Sequence, residues 1–230
     1  EDLINQYSTQ IPPQKFVLCI AGFGYDWLKG SNGKQSTYQE ILTNCKESEG
    51  KILFDKESCN AHYNYFDDED REHEVWFADA ATNFDIMRMA SPYAMAGVCV
   101  YRIGSEDSRL WSFFKDNLSD DSLKIKPVDL SKMKKVAPSN VVVYMEEGEV
   151  LDILQTPEPG NIFTDYDSKQ DLITDETYLQ LPGPDGSRKE GKAADSTVIL
   201  TFDDGPDPKY TPEVLDILKK EKVPASFFMV

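Results

Sequence analysis

The sequence predicts an α/β protein with parallel strands, from three observations. First, Lys15–Phe23, Ala96–Ile103 and Val198–Phe202 are runs of apolar or β-branched residues without alternation. Strands buried on both faces of a parallel sheet read this way. Second, stretches with helical apolar stripes separate or follow these runs, as in Ala80–Arg88 and Val214–Leu218. Third, aromatic or acidic residues sit at the carboxyl ends of the runs: Tyr25 and Trp27, Tyr101, and the pair Asp203-Asp204. Parallel α/β folds present their functional side chains there.

The elements follow in order. After the first run, Ser36 or Thr37 can cap a short helix through Tyr38 to Cys45, and Gly50–Phe54 reads as a short strand. Ala61–Phe66 and Arg71–Phe77 form an expected hairpin around Asp67-Asp68-Glu69-Asp70. That acidic tip lacks the spacing and glycine of a calcium loop and reads as a solvated end. His62 and His73 flank it, with structural or solvent-facing roles. Asp79 is an expected N-cap, and the Phe84 and Met87 stripe that follows reads as core packing. Ser108–Leu118 reads as an amphipathic helix and Asp120–Lys135 as a loose polar stretch.

Further along, Asn140–Met145 and Glu149–Leu154 suggest a hairpin around Glu146-Glu147-Gly148. Asp165–Leu181 is mixed, its aspartates read as a solvated loop, and Pro182–Ala194 has the Gly, Pro and charge content of a linker. Thr211 is the expected cap of a helix with Pro212 at its first position, and Ala225–Val230 reads as the next buried strand.

Composition narrows the partners. The chain has 230 residues, 40% hydrophobic, with a formal net charge of -17. That charge argues against nucleic acid or an anionic membrane surface as partner, because both would repel it. No apolar run is long enough to cross a bilayer, so no membrane contact is expected from this segment. The chain starts at Glu1 without a leader pattern and stops at Val230 in a strand-like run, and so reads as an excerpt of a longer protein. Cys19, Cys45, Cys59 and Cys99 show no metal-type spacing. Cys19 and Cys99 read as small hydrophobes. Cys45 and Cys59 could pair in an oxidising compartment, although free thiols are the preferred reading.

The acidic pair carries the chemistry. One carboxylate at a strand end can be held ionised by a metal while its neighbour serves as base on a metal-bound water. A bare Asp-Asp is more simply an acidic turn. The whole string Thr201-Phe202-Asp203-Asp204-Gly205-Pro206, followed by a helix and a strand, resembles the first signature motif of NodB-type polysaccharide deacetylases. The resemblance implies Asp203 as general base and Asp204 as ligand of a divalent metal, usually zinc. That family completes its metal site with a His-x-x-x-His motif. His62 and His73 do not supply it, so this chain by itself is expected to be inactive.

The first half of the chain resembles the last two strand–helix units of chitinase-like barrels of glycoside hydrolase family 18. The residues that carry this are Phe23-Gly24-Tyr25-Asp26-Trp27, His73–Asp79 and Ala96–Gly104. An aromatic at the end of that barrel's last strand, usually Trp, floors a sugar subsite; here the matching residue is Tyr101. Trp27 is a second candidate substrate contact. The family's Asp-x-x-Asp-x-Asp-x-Glu motif is absent from this chain.

Together these imply the carboxyl-terminal part of a (β/α)8-type barrel over 1–118, an α+β connector over 119–195 and the first β-α-β unit of a NodB-type barrel over 196–230. The order resembles bacterial modular proteins that join a family 18-like domain to a deacetylase. It implies a polysaccharide substrate, most naturally of N-acetylglucosamine type, an extracytoplasmic location in the cell envelope or secreted, and the rest of a parent chain as partner. Alternatives are a non-catalytic carbohydrate-binding or assembly module, a chitinase-like glycosidase in the parent, or a structural fragment whose acids bind nothing.

Overall fold

The computed structural model describes residues 5–7, 9–140, 142–144, 150–183, 185–190 and 196–230. Its elements begin with strands β1 (Val17–Ala21), β2 (Phe23–Leu28) and β3 (Lys34–Thr37), then helix α1 (Tyr38–Glu47). Strands β4 (Leu53–Asp55), β5 (Asn60–Phe66) and β6 (Glu72–Phe77) lead into α2 (Ala80–Ala90) and β7 (Gly97–Tyr101). A short helix α3 (Asp120–Ile125) precedes β8 (Lys135–Val136), β9 (Val142–Tyr144), β10 (Val150–Gln155), β11 (Gly160–Asp167), β12 (Leu172–Gln180) and β13 (Asp185–Glu190). The chain closes with β14 (Thr201–Gly205), α4 (Tyr210–Glu221) and β15 (Ser226–Met229). Residues 1–144 and 153–187 form one compact unit, and residues 145–152 and 188–230 form another.

The fold is mixed α/β. In the larger unit β1 and β7 pair in parallel, with Val17 opposite Gly97 and Ala21 opposite Tyr101. The expected single run through Phe23 is divided at Gly22: β2 belongs to a separate five-stranded sheet of order β3-β2-β6-β5-β4. A Cβ on Gly22 would lie 2.8 Å from that of Glu106, so the chain turns there where only hydrogen fits. The expectation of burial on both faces fails for β1. Ile20 is buried, whereas Val17 and Cys19 are exposed. One face of the β1–β7 ribbon packs on a cluster that includes Ala80, Phe84, Leu110 and Phe113.

Local signals explain several elements. Thr37 starts α1 with a reciprocal capping box: its hydroxyl accepts from the Glu40 amide, and the Glu40 carboxylate accepts from the Thr37 amide. Asp79 caps α2 by accepting from the Thr82 amide at 2.9 Å. β5 and β6 form the expected hairpin, with Ala61 opposite Phe77 and Phe66 opposite Glu72.

Other expectations are corrected. Ser108–Leu118 is not an amphipathic helix; it holds a 3-10 turn over Ser108–Ser112, where Asp107 accepts from the Arg109 amide. Asp165–Leu181 belongs to the antiparallel β11–β12 hairpin. The partner of β9 is β13, in parallel. Residues 146–148, the expected turn of a hairpin there, lie outside the described residues, as do 184 and 191–195 of the expected linker.

The β11–β12 hairpin ties the larger unit together. Ile162 on β11 is buried with Tyr38, Ile41, Leu42, Tyr63 and Phe77. Ile173 on β12 is buried with Ile20, Phe84, Leu110 and Met133. Each buried isoleucine contributes about 1.5–3 kcal/mol. Between the clusters the buried Arg109 guanidinium meets Asp107 at 2.7 Å, Glu176 at 2.9 Å and the Met133 carbonyl at 2.8 Å. Tyr178 donates to Asp79 at 2.9 Å, and Arg109 reaches the Tyr38 hydroxyl at 3.3 Å. Burial, with Asp79 alongside, pushes the Glu176 carboxyl well above the usual range.

Candidate functional site

Asp203 and Asp204 lie at the carboxyl end of β14, in the smaller unit. β14 pairs in parallel with β15: Thr201 with Ser226, Phe202 with Phe227, Asp203 with Phe228 and Gly205 with Met229. The register slips between Asp203 and Gly205, so Asp204 is an extra residue without a partner in the ladder. Its φ of 62° is left-handed, a region aspartate enters more readily than most residues. A bulge of this kind re-aims a side chain. It separates the directions of two carboxylates that strict strand alternation would place on opposite faces. Both acids are exposed.

The following turn is shaped by a third acid. Asp207 accepts from the amides of Lys209 and Tyr210, at 2.8 and 2.7 Å. Thr211 accepts from the Asp207 amide instead of capping the helix. Helix α4 therefore starts at Tyr210, one residue ahead of the expected cap, with Pro212 in its third position. The expected burial of both strands of this unit is corrected as well. Val198, Ile199, Phe228 and Met229 are exposed, and α4 has no buried residue.

Among the described residues no three His, Cys, Asp or Glu side chains gather into a group that could hold a metal ion. Zinc sites take at least three protein ligands, so Asp203 and Asp204 alone do not make one. Both histidines are engaged elsewhere. His62 stacks on Trp76 at 4.3 Å. His73 lies between carboxylates, 2.7 Å from Asp26 and 3.2 Å from Asp67. Burial opposes its charge, but the hydrogen bonds to Asp26 and Asp67 outweigh it and raise its pKa.

The larger unit brings its two candidate residues together through a row of rings. Tyr101, 57% exposed at the end of β7, meets Phe23 edge-on at 5.9 Å. Phe23 meets Tyr25 edge-on at 5.7 Å, and Tyr25 stacks on Trp27 at 5.3 Å. Positions 23, 25 and 27 share one face of β2 because strand side chains alternate. That alternation was visible in the sequence; reading the segment as one doubly buried run hid Phe23 and Tyr25. Beside Trp27 a cleft of about 400 Å³ is lined by Asn64, Glu72, His73 and Glu74. Gly33 lies close over the indole: a Cβ there would be 2.3 Å from Trp27 Nε1.

Comparison with known proteins adds the following. Residues 190–230 match the family model described as polysaccharide deacetylase. A 42-residue stretch is 57% identical to a chitooligosaccharide deacetylase of Sinorhizobium fredii, covering 18% of this chain and 19% of that protein. Over 109 residues the chain is 30% identical to an uncharacterized glycosylase, YvbX, of Bacillus subtilis, covering 46% of this chain and 32% of the relative. Among solved structures, the Bacillus cereus spore cortex-lytic enzyme SleL aligns with a TM-score of 0.48 at 23% identity, over 51% of this chain and 28% of that one. The chain thus spans at most about a third of the length of these proteins. It joins a stretch similar to a bacterial glycosylase to a segment that matches the polysaccharide deacetylase family.

Proposed function

We propose that residues 196–230 open the catalytic domain of a metal-dependent polysaccharide de-N-acetylase, acting on a polymer of N-acetylglucosamine type. In this reading residues 1–118 are the end of a family 18-like barrel and 119–195 connect the two. Asp203 is the general base and Asp204 a ligand of a divalent metal whose remaining ligands the described residues do not supply. The observation that carries the reading is the family match at 190–230, with its two acids exposed at a strand end and one of them turned by a bulge. Attack of water on an acetamide carbonyl builds negative charge on its oxygen, and an adjacent cation is the usual means of stabilising it. An extracytoplasmic location fits such a substrate. The test is Asp204→Ala in the full-length protein that carries this chain. It should abolish metal-dependent acetate release from N-acetylglucosamine oligomers; unchanged release refutes the assignment.

The aromatic row favours a second role for the larger unit, as a carbohydrate-binding module. Flat rings stack on the apolar faces of pyranoses, and four rings in line suit an extended oligosaccharide. Tyr101→Ala should weaken chitooligosaccharide binding severalfold in calorimetric titration. Undiminished affinity would remove Tyr101 from that role.

A further inference from the structure

Cys19 on β1 and Cys99 on β7 stand directly opposite one another in the parallel register. Both are exposed, on the face of the ribbon away from Ile20. The two thiols are hydrogen-bonded to each other, which raises the pKa of Cys19. Cys45 and Cys59 differ. Cys45 is buried, donates to the Gly50 carbonyl, and burial pushes its thiol up to about 12. Cys59 donates to the Lys56 carbonyl.

Opposed residues on neighbouring strands lie about 4.7–4.9 Å apart. That falls within the roughly 4.4–6.8 Å between Cα atoms that a disulfide spans. Their Cα–Cβ bonds run nearly parallel, so the Cβ atoms stay near the strand spacing, whereas a disulfide brings them to about 3.8 Å. Closure therefore draws β1 and β7 together by about 1 Å at this pair. The ribbon has two strands and its outer face is exposed, so it can yield. A bond made under that strain and in contact with solvent is readily reduced again.

We propose that Cys19 and Cys99 form a reversible dithiol–disulfide couple, open to low-molecular-weight disulfides. The thiolate of one cysteine attacks glutathione disulfide, forming a mixed disulfide and releasing one glutathione thiolate. The second cysteine attacks the protein sulfur of that mixed disulfide and releases the second glutathione. Two protein thiols are oxidised and one glutathione disulfide becomes two thiols. Tyr101 lies two residues beyond Cys99 on the same strand face, so the bond forms beneath the exposed ring.

The test uses the full chain, equilibrated at pH 8 in glutathione buffers from reducing to oxidising, acid-quenched, alkylated with iodoacetamide and mapped by mass spectrometry after digestion. The expected result is a peptide pair joining Cys19 to Cys99, 2 Da lighter than the reduced pair. Excess reduced glutathione should convert it fully into two alkylated peptides. Cys19→Ser or Cys99→Ser should each abolish it, while a variant lacking Cys45 and Cys59 retains it. Overturning results are Cys19 and Cys99 both alkylated in oxidising buffer, each carrying its own glutathione, or either joined to Cys45 or Cys59. Because the wild-type map reads the linkage directly, a variant that fails to fold leaves the conclusion intact.

Discussion

Asp85→Asn should make the larger unit's stability less dependent on pH. Asp85 sits on α2 with no exposed surface. Its Oδ1 accepts from the Ile173 amide at 2.8 Å, and Oδ2 has no hydrogen-bond partner among the described residues. Burial raises its pKa from 3.8 to about 7, with Asp79 adding to the rise. Between those values the folded protein holds a proton that the unfolded chain has lost. Stability contributed by the neutral acid is therefore complete below about pH 4 and is lost as pH rises towards 7, at about 1.4 kcal/mol per pH unit. The whole loss is about 4 kcal/mol, of which the part between pH 5 and pH 7 is about 3 kcal/mol. Asparagine keeps the shape and the Ile173 contact but does not titrate. Urea unfolding followed by tryptophan fluorescence is the assay, because Trp27, Trp76 and Trp111 all belong to this unit. The stability of Asp85→Asn relative to wild type should rise by about 3 kcal/mol from pH 5 to pH 8. An amide that fits badly shifts that difference equally at every pH, so the slope is the readout. A flat difference across the range would refute the burial argument.

Two further outcomes follow from the packing. Arg109→Met removes the cation that faces Asp107, Asp79 and Glu176 in a fully buried network, and should cost about 3–5 kcal/mol in the same urea assay; a loss under 1 kcal/mol would mean that the network relaxes without it. Gly33→Ala places a methyl where the Trp27 indole lies and should shift tryptophan emission while changing stability by less than about 1 kcal/mol. An unchanged spectrum would mean that the indole is not held against Gly33.

The parts of this fold that were legible in the sequence are those fixed by neighbours along the chain. Thr37 and Glu40 are three residues apart, and their capping box forms between them. Alternating residues on either side of Asp67–Asp70 give the β5–β6 hairpin. The β11–β12 hairpin was missed because polar residues interrupt its apolar alternation: Thr164 and Asp165 on one strand, Asp175 and Glu176 on the other. Asp120–Lys135 read as loose because its composition is polar, yet it carries Met133, which is buried. Arg109 and Glu176 could not be found by any local rule. Hydrophobic patterning assigns charged side chains to solvent, and these two are buried only because residues 67 positions apart neutralise and hydrogen-bond each other.

The acidic pair shows the same division between what a string of residues carries and what folding adds. The sequence places Asp203 and Asp204 at a strand end, since the apolar run stops there and Gly205-Pro206 compels a turn. It does not reveal that Asp204 is a bulge residue with left-handed backbone, because a bulge is a property of two strands and needs β15 opposite. Two consecutive residues of a regular strand point to opposite faces and cannot readily serve one centre. The slipped register removes that obstacle at the point where adjacent acids would have to divide the work of base and ligand. Restoring the regular ladder at Asp204 should therefore damage a deacetylase site even with both carboxylates retained, which distinguishes an arranged pair from an acidic turn.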